Sequence, residues 1–351
     1  MGATRSRTTL KDVAERVGVS AKTVSNVVNG TGWVTDELKA RVQEAIADLG
    51  YRPNVAARNL RSGRTGMIAV ALPDLSQPYF AELASDLVRA AQEKSITVLI
   101  SQTDGRKDAE ERIAHGVDLP LMDGLILSPL ALTAADLEHR ADSTPLILLG
   151  EHIGETSLPH VAVDNTAAAR AAVEHLLARG RRRIAAIGLQ QDGPNETSVL
   201  RLSGYRAALE AAGIPFDPAL VGVVEGYHRA DGARAAEHLL DAGVDFDGVF
   251  AFNDLLALGA LHVLGSRGIA IPEQVAVIGF DDIDEASFST PTLSSVAPDT
   301  RALARAAIEL LTEPRTGEPH AGAAQTGTTQ TAGSPAIPFT IAERASTGGH
   351  R

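Results

Sequence analysis

Short apolar runs alternate with amphipathic, helix-like stretches along most of this chain, from Met67 onward. Such alternation is typical of βαβ units, which build parallel sheets with helices packed on both faces. Because nine strands with their helices are more than one sheet would readily hold, we predict two similar α/β lobes. The predicted strands are 67–72, 97–100, 125–127, 146–149, 161–163, 184–187, 221–224, 249–252 and 275–278.

Length and cysteine content narrow the possible classes of protein. A chain of 351 residues suits about two domains, with room for one small extra module. The absence of cysteine excludes disulfides, thiolate metal sites and a cysteine nucleophile. No apolar run approaches the ~20 residues that span a bilayer, and no apolar segment follows the first charged residues. We therefore expect a cytoplasmic protein with no membrane partner.

The net charge of −12 conceals an uneven distribution of charge along the chain. Residues 1–64 hold eleven basic and six acidic residues, a net charge of +5, whereas the remainder carries −17. A basic head on an acidic body suggests that only the head meets a polyanion such as DNA. Charge alone leaves open the alternative of a solvated charged surface.

The basic head also shows the pattern of three short helices. Apolar residues recur at helical spacing over 10–17, and Gly18 can then take the positive φ of a tight turn. Ser20 is a good N-cap for a second helix, and Thr35 caps a third that Gly50 ends. Two short helices joined by such a turn and braced by a third make a DNA-binding helix-turn-helix. A helical cap on the larger body would explain the apolar positions but not the basic charge.

The polar face of the second helix should enter the major groove of DNA. Lys22 suits guanine O6 and N7, and Asn26 suits adenine N6 and N7. Lys22 could instead hold only a phosphate, as could Thr23 and Ser25, and such contacts position a helix without reading sequence. Ala21 lies on the same outward face.

A further short helix is expected after the three-helix motif. Asn54 could cap it, and its apolar face would show Val55, Ala56 and Leu60. A helix this short is marginal in isolation, so it should form only against a partner.

Several stretches of the head form one specific combination: Thr9-Leu10-Lys11-Asp12-Val13-Ala14-Glu15, Gly18-Val19-Ser20, Thr23-Val24-Ser25, Val28-Asn29-Gly30 and Leu49-Gly50-Tyr51-Arg52-Pro53-Asn54. This combination resembles the lactose-repressor (LacI/GalR) family of bacterial transcription regulators. The resemblance implies that residues 54–61 form a hinge helix that folds when two protomers meet on an operator. It also implies that Leu60 wedges into a central minor-groove step. Since the family commonly has Arg at the position of Asn26, the operator half-site cannot be transferred from a relative. The predicted DNA-binding residues are Thr9, Ser20, Ala21, Lys22, Thr23, Ser25, Asn26, Asn29, Asn54, Ala57, Arg58 and Leu60.

Carboxylate and amide side chains follow many of the predicted strands of the body. In open parallel sheets, ligands bind beyond the carboxyl ends of the strands. Such side chains, with Arg201 and aromatic residues nearby, suit a small polar ligand such as a sugar or nucleoside. The alternative is that some of them, for example Asp164 and Asn253, only cap helices. The strand ends read Pro73-Asp74, Ser101-Gln102, Ser128, Gly150-Glu151, Asp164-Asn165, Asn253-Asp254 and Asp281-Asp282.

The body contains further matching stretches: Pro73-Asp74-Leu75-Ser76-Gln77-Pro78-Tyr79-Phe80, Val163-Asp164-Asn165, Arg201-Leu202-Ser203-Gly204-Tyr205, Phe252-Asn253-Asp254 and Gly279-Phe280-Asp281-Asp282. The resemblance to the family therefore continues, although Gln77 replaces the usual Asn. It implies a core like that of periplasmic sugar-binding proteins, with an effector between two lobes. The implied effector-binding residues are Asp74, Tyr79, Phe80, Asp164, Arg201, Tyr227, Asn253 and Asp281.

The expected organisation is an all-α helix-turn-helix headpiece followed by an α/β core of two doubly wound parallel-sheet lobes. The expected bounds are 1–53 for the DNA-binding domain, 54–65 for the hinge helix and linker, about 66–163 with 296–312 for the first lobe, and about 164–295 with 338–351 for the second. Residues 313–337, rich in Gly, Thr, Ala and Pro, predict a disordered insertion. No tetramerising heptad follows, so a homodimer is expected.

Motifs of the common enzyme classes are missing from the sequence, which has no Walker loop, no HExxH and no nucleophile elbow. Its ten histidines are scattered, and none lies at a ligand spacing from a second one. We therefore predict no catalysis, no cofactor and no metal. The predicted function is a repressor of transcription that binds operator DNA and is controlled by a small effector, a sugar in preference to a nucleoside or purine. The second hypothesis is a sugar-binding or sugar-processing protein with an incidental helical head.

Overall fold

The computed structural model describes residues 8–29, 31–51, 64–119, 121–138, 140, 142–150, 158–191, 196–313 and 337–348. The chain divides into two compact units, Met1–Thr65 and Gly66–Arg351. Four predicted DNA-binding residues of the hinge, Asn54, Ala57, Arg58 and Leu60, lie outside the described residues. So does the predicted insertion, apart from its two end residues. Within the described ranges, none of the helices is long and apolar enough to cross a membrane.

The head consists of the three predicted helices, α1 (Leu10–Val17), α2 (Ala21–Asn29) and α3 (Asp36–Leu49). Thr9 and Asp12 form a reciprocal capping box, in which the Asp12 carboxylate accepts the Thr9 N–H at 2.7 Å. Gly18 and Gly50 end α1 and α3 in the left-handed region, where an L-residue would be strained. The three helices close on a small core that is aliphatic apart from Tyr51 and consists of Val13, Ala14, Val17, Val24, Val42, Ala45 and Tyr51.

The first lobe of the core unit is built on a five-stranded parallel sheet with the order β2-β1-β3-β4-β5. Its strands β1, β3 and β4 are buried because helices cover the faces of the sheet, whereas the outer strand β2 is largely exposed. The elements run in the order β1 (Met67–Leu72), α4 (Pro78–Glu93), β2 (Thr97–Gln102), α5 (Lys107–Ala114), β3 (Leu125–Leu127), α6 (Ala134–Glu138), β4 (Leu146–Leu149) and β5 (His160–Val161).

The second lobe has a six-stranded sheet with the order β11-β10-β9-β8-β6-β7, in which only β11 is antiparallel to its neighbour. The elements run α7 (Asn165–Ala178), β6 (Ile184–Leu189), α8 (Glu196–Ala211), β7 (Val221–Val223), α9 (Arg229–Asp241), β8 (Gly248–Ala251), α10 (Asp254–Ser266), β9 (Ala276–Phe280), α11 (Asp284–Phe288), β10 (Ser294–Pro298) and, after a return through the first lobe, β11 (Phe339–Ala342). The nine predicted strands are confirmed, with ends that differ by two residues or fewer.

Helix α12 (Thr300–Thr312) packs against α4 and therefore belongs to the first lobe. The return of the chain was predicted near 295–298, with the lobe boundary at 296. In the structure β10 stays in the second sheet to Pro298, which pairs with Phe339. The connections between the lobes lie side by side: Val163 bridges Ile337, and the Asp299 N–H donates to the Pro338 carbonyl at 2.9 Å.

Helices α9 and α10 approach each other so closely that glycine is required on both of them. A Cβ atom at Gly259 of α10 would lie 2.0 Å from the Arg229 carbonyl oxygen. A Cβ atom at Gly232 of α9 would lie 2.1 Å from the Leu256 carbonyl oxygen. Since backbone cannot yield as the end of a side chain can, these two glycines set the distance between the helices and hence hold the start of α10, at Asp254, in place.

We predict that Gly259→Ala destabilises the core by about 1–3 kcal/mol, the usual cost of forcing extra volume into close packing. Gly265→Ala on the same helix is the matched control, because nothing lies within 4 Å of its added Cβ. The control should be neutral or slightly stabilising, since alanine favours helix. Chemical denaturation of the two variants beside the wild type measures both effects, and equal stability of the two variants would contradict the packing argument.

Candidate nucleic-acid interface and ligand cleft

Helix α2 presents the face that was predicted to meet DNA. Val24 is fully buried and fixes the rotation of the helix, while Lys22 and Ala21 are exposed beside it. Ser25 and Asn26 are partly exposed on the adjoining side. The helix therefore keeps one side in the head core and leaves its first two turns accessible, as the helix-turn-helix pattern requires.

Three of the predicted DNA-binding residues also hold the helix ends. The Ser20 hydroxyl accepts the Thr23 N–H at 3.1 Å and lies 2.8 Å from the Thr23 hydroxyl, at the start of α2. Thr9 does the corresponding work at α1. These roles fix the geometry of the motif and remain compatible with phosphate contacts, because each hydroxyl has further hydrogen-bonding capacity. The side chain of Asn29 is outside the described residues.

A cavity of about 320 Å³ lies between the two lobes of the core. Six of the eight predicted effector-binding residues line it, namely Tyr79, Phe80, Arg201, Tyr227, Asn253 and Asp281. The volume is at the lower end of the range for small-molecule sites. The carboxyl ends of β6, β8 and β9 point their loops into this cavity, which is the position expected for ligands of open parallel sheets.

Arg201 is buried at the centre of the polar side of the cavity. Its Nε donates to the Asn165 side-chain oxygen at 2.7 Å, and its Nη1 donates to the Phe252 carbonyl. Its Nη2 lies 3.9 Å from an Asp281 carboxylate oxygen, and the guanidinium sits 3.6 Å from the centroid of the Phe280 ring. A buried cation is tolerable only when it is paired in this way, so Arg201 links α7, α8 and the ends of β8 and β9.

Asp281 is held in an unusual backbone conformation with φ of +106°. The Asp281 N–H donates to the Val296 carbonyl at 2.9 Å, which helps to fix this conformation. Burial raises the pKa of the Asp281 carboxyl to about 7, against the opposing effect of Arg201. Non-glycine residues at positive φ cluster at ligand sites, where the surrounding structure overdetermines them.

Asp254 supports the Asp281 loop from beneath. Its carboxylate is fully buried and accepts the Ser295 hydroxyl at 2.6 Å and the Ile283 N–H at 2.9 Å. Burial raises the pKa of Asp254 well above its usual range, and the nearby Asp281 carboxylate adds to the shift. This buried acid therefore positions the loop and does not itself line the cavity.

Asn253 has two roles in the structure. Its side-chain oxygen accepts the Leu256 N–H at 2.9 Å and caps α10, whereas its amide donates to the Tyr227 carbonyl at 3.2 Å and lines the cavity. The Tyr227 hydroxyl donates to the Gly188 carbonyl at 3.0 Å. On the opposite lobe, the Tyr79 and Phe80 rings pack edge to face at 5.2 Å. The cavity thus has fixed aromatic surfaces on both sides.

The other two predicted effector-binding residues lie outside the cavity lining. The Asp164 carboxylate accepts the Ala167 N–H at 2.8 Å and caps α7. This is the helix-capping role that the sequence left open as the alternative to ligand binding. The Asp74 carboxylate accepts the Ser76 N–H at 2.8 Å within its own loop. The neighbour of Asp164, Asn165, faces inward instead and holds Arg201.

Several polar residues of the lining were not among the predicted effector-binding residues, including Asn165, Gln190, Glu196, Thr197 and His228. Asn165 stood beside Asp164 in the same strand-end pair, and only the direction of the helix decides which of the two faces inward. Gln190 follows β6 directly and could have been found by the rule of strand ends. Glu196, Thr197 and His228 start helices, and their sequence carries no such signal.

Glu110 fixes one wall of the cavity without entering it. This carboxylate is fully buried and accepts three successive backbone N–H groups, from Leu130 at 2.8 Å, Ala131 at 3.0 Å and Leu132 at 3.1 Å. Leu130 lines the cavity. The loop after β3 is therefore shaped by one buried acid from α5, a contact over some twenty residues that no local pattern reveals. Across the described residues, no three acidic or histidine side chains cluster as a metal site.

A helix-turn-helix head, joined in one chain to a two-lobed α/β core with a ligand-sized cleft, defines a ligand-responsive transcriptional regulator. Residues 9–54 match the profile of bacterial regulatory proteins of the lacI family, and residues 173–334 match a periplasmic binding protein-like domain. The regulator AscG of Escherichia coli K12 is 38% identical over 296 residues, which cover 82% of this chain and 86% of AscG. The chain belongs to the LacI family of transcriptional regulators.

Two solved structures are also similar to this chain. A CelR–cellobiose complex is 31% identical, covers 97% of this chain and 100% of that one, and has a TM-score of 0.65. The Lac repressor dimer bound to operator and the anti-inducer ONPF is 24% identical and covers 97% and 99% of the two chains. Its TM-score of 0.80 shows the shared fold. The predicted family and fold class are thereby confirmed, and the relatives are regulators rather than enzymes.

We predict that Asp281→Asn changes how stability depends on pH. The carboxyl of wild-type Asp281 has its pKa raised from its ordinary value near 3.8 to about 7, so the folded state binds this proton more tightly than the unfolded state. This contribution is fully present below pH 4 and is lost as pH rises towards 7. The melting temperature of the variant, relative to that of the wild type, should therefore increase between pH 5 and pH 8, by about 2–4 °C per kcal/mol. Parallel melting curves across this range would contradict the assignment.

Proposed function

We propose that this regulator is a homodimeric repressor that binds a pseudo-palindromic operator and responds to a neutral sugar bound between the core lobes. The observation that carries the proposal is the cleft itself. Its lining combines the polar side chains of Arg201, Asn253 and Asp281 with aromatic side chains, and internal hydrogen bonds hold the polar groups in place. The LacI-family head provides the DNA-binding half of the function.

The contacts to DNA divide into two kinds. Lys22 and Asn26 of α2 carry base recognition, because Lys matches guanine and Asn matches adenine in the major groove. Phosphate contacts are assigned to residues at the N-terminal ends or in the first turns of α1 and α2, namely Thr9, Ser20, Thr23 and Ser25. Ala21 and Asn29 belong to the same DNA-facing surface. The hinge helix over 54–61, with Leu60 as its wedge, stays a prediction of the sequence.

Dimerisation is supported by an exposed strand edge in the first lobe. Strand β2 is the outer strand of its sheet and carries apolar side chains that are solvent-exposed, Leu99 to 41% and Ile100 to 38%. An uncovered apolar edge of this kind is a liability in a monomer and is usually covered by a partner. A two-fold dimer through this edge would match the two-fold symmetry of a pseudo-palindrome.

The effector chemistry follows from how the two lobes divide the cavity lining. The second lobe contributes most of the polar groups, including Asn165, Arg201 and Asp281, whereas the first lobe contributes mainly apolar surface such as Phe80, Leu83 and Leu149. A sugar ring fits this division, because its hydroxyls lie at its rim while its faces are apolar. The cellobiose in the CelR complex agrees with a sugar as the ligand class.

The charged side chains of the cavity favour a neutral sugar over an anionic one. The guanidinium of Arg201 already donates to Asn165 and Phe252 and lies 3.9 Å from an Asp281 carboxylate oxygen, so its charge is partly balanced inside the protein. Glu196 and Asp281 line the same cavity and would repel a phosphate or carboxylate. Neutral hydroxyls, in contrast, can both donate to these carboxylates and accept from the amide of Asn253.

The proposal is tested by selecting duplexes from a random pool with the purified chain and titrating them by fluorescence anisotropy. A pseudo-palindromic sequence should be enriched and bound about a thousandfold more tightly than a scrambled duplex, with an affinity that falls as salt rises. Equal affinity for both duplexes would contradict sequence-specific regulation. The second hypothesis, a sugar-binding or sugar-processing protein, predicts instead that deleting residues 1–64 leaves the biological activity intact.

We expect Lys22→Ala and Asn26→Ala each to reduce discrimination between the selected and scrambled duplexes by about 1–3 kcal/mol per lost base contact. Lys11→Ala is the charge-matched control, since Lys11 is exposed on α1 rather than α2. It should affect both duplexes equally, if at all. A uniform loss on both duplexes for Lys22→Ala would show that Lys22 holds a phosphate only.

We expect Arg201→Ala to abolish the response to sugar while leaving DNA affinity unchanged. The control is Arg206→Ala on the same helix, where the guanidinium stacks on Phe216 at 4.1 Å outside the cavity lining. A thermal-shift screen of neutral sugars and nucleosides first identifies the ligand. Calorimetry and a DNA titration of each variant then separate the two sites. Because Arg201→Ala could lower stability, Tyr79→Ala provides a second test of the same cavity. Unchanged ligand affinity in both would contradict the site.

A further inference from the structure

The head exposes a large aromatic side chain that its own core does not use. Trp33, the single tryptophan of the chain, lies in the loop between α2 and α3 and is 94% exposed. The core of the head closes without it, on aliphatic side chains that include Val24 and Val42. A tryptophan combines a broad apolar surface with one N–H donor, and such residues are typical anchors at binding interfaces.

The loop that carries Trp33 is fixed to the DNA-facing helix. The Thr31 N–H donates to the Asn26 backbone carbonyl at 2.9 Å. Gly32 has a φ of +78°, and a Cβ atom there would lie 2.9 Å from the side-chain nitrogen of Asn26. The backbone next to Trp33 therefore lies against the same side chain that we propose to read bases, and Trp33 extends the recognition face rather than a separate surface.

We propose that Trp33 contacts the sugar–phosphate backbone of the operator beside the recognition helix, with its ring against deoxyribose and its N–H donating to a phosphate oxygen. The assignment rests on the proposed DNA-binding function and adds to it a contact surface outside α2. The continuity of this loop with α2 argues for DNA as the occupant, because a duplex that engages Lys22 and Asn26 must pass close to residues 31–33.

The chemistry favours the backbone over a base edge. The groove is filled by α2, so a loop at the border of the recognition face meets the strand that bounds the groove. Asp36 and Glu37 follow at the exposed start of α3, and their charges would weaken a purely ionic contact with phosphate. An uncharged indole can instead bury its apolar face on deoxyribose. Such a contact raises affinity for every sequence and carries no base information.

The single tryptophan makes this contact directly observable in the full-length protein. Duplexes selected from a random pool and scrambled duplexes of equal length serve as the probes, at low salt so that both bind. Without DNA, the emission should be that of a water-exposed indole. On titration it should shift or be quenched in step with the anisotropy, on both duplexes. Emission that stays constant while the anisotropy reaches saturation would overturn the proposal.

Substitutions separate contact from folding. Trp33→Ala should weaken binding to both duplexes by a similar factor, about 10- to 50-fold, as expected for losing burial of roughly 55–90 Å² of apolar surface. Trp33→Phe should retain most of the affinity, because it keeps an aromatic face and loses only the N–H. Leu121→Ala is the control for an exposed apolar residue elsewhere, since Leu121 is 81% exposed in the first lobe. The far-ultraviolet circular dichroism of all three should match the wild type.

Other results of these experiments would refute the proposed contact between Trp33 and the DNA backbone. Wild-type affinity in Trp33→Ala, or a loss confined to the selected duplex, would refute a backbone contact. An indole already shielded without DNA, with emission that changes on dilution, would show that Trp33 packs on a second copy instead. If no duplex raises the anisotropy of the wild type at all, the DNA-binding function itself fails, and that failure is recognised before any variant is compared.

Discussion

The core depends on the pairing of one buried cation. Arg201 lies in the interior, where an unpaired guanidinium would cost several kcal/mol, so its donors must be satisfied by the protein. Nε and Nη1 donate to the Asn165 side chain and the Phe252 carbonyl, and Nη2 lies 3.9 Å from the Asp281 carboxylate. Phe252 and Asp281 follow β8 and β9 of the second lobe, and Asn165 begins α7. The requirement to neutralise Arg201 therefore draws the strand ends together and builds the polar half of the cleft in the same step.

The sequence predicted the fold well because most strands are apolar runs that alternate with helical stretches, and the parallel topology leaves few alternatives. β10 was the exception. Its residues Ser294 and Ser295 are polar and fully buried, and they hydrogen-bond to Ser346 and Asp254, respectively. A strand whose polar side chains are satisfied by distant residues has no apolar signature, so this strand was not among those predicted.

The candidate site could be predicted only as far as strand ends indicate it. Six of the eight predicted residues line the cavity, but Asp164 caps a helix while Asn165 takes the inward position. A one-residue difference at a helix start reverses which side chain faces the ligand, and the sequence contains no information on that rotation. The contacts of Glu110 with the loop at 130–132, and of Asp254 with Ile283, join residues that are distant along the chain. In the sequence, such buried acids cannot be distinguished from surface carboxylates.

The unequal chemistry of the two lobes determines what a ligand can do to the protein. A ligand shifts a conformational equilibrium only as far as its contacts differ between the states. Hydrogen bonds to Asn253 or Asp281 involve the second lobe alone, so they can hold a ligand in an open cleft as well as in a closed one. Apolar contacts with Phe80, Leu83 and Leu149 of the first lobe are gained only as the lobes approach. The polar half of the site should therefore set which ligand is bound, and the apolar half should set how strongly that ligand closes the cleft.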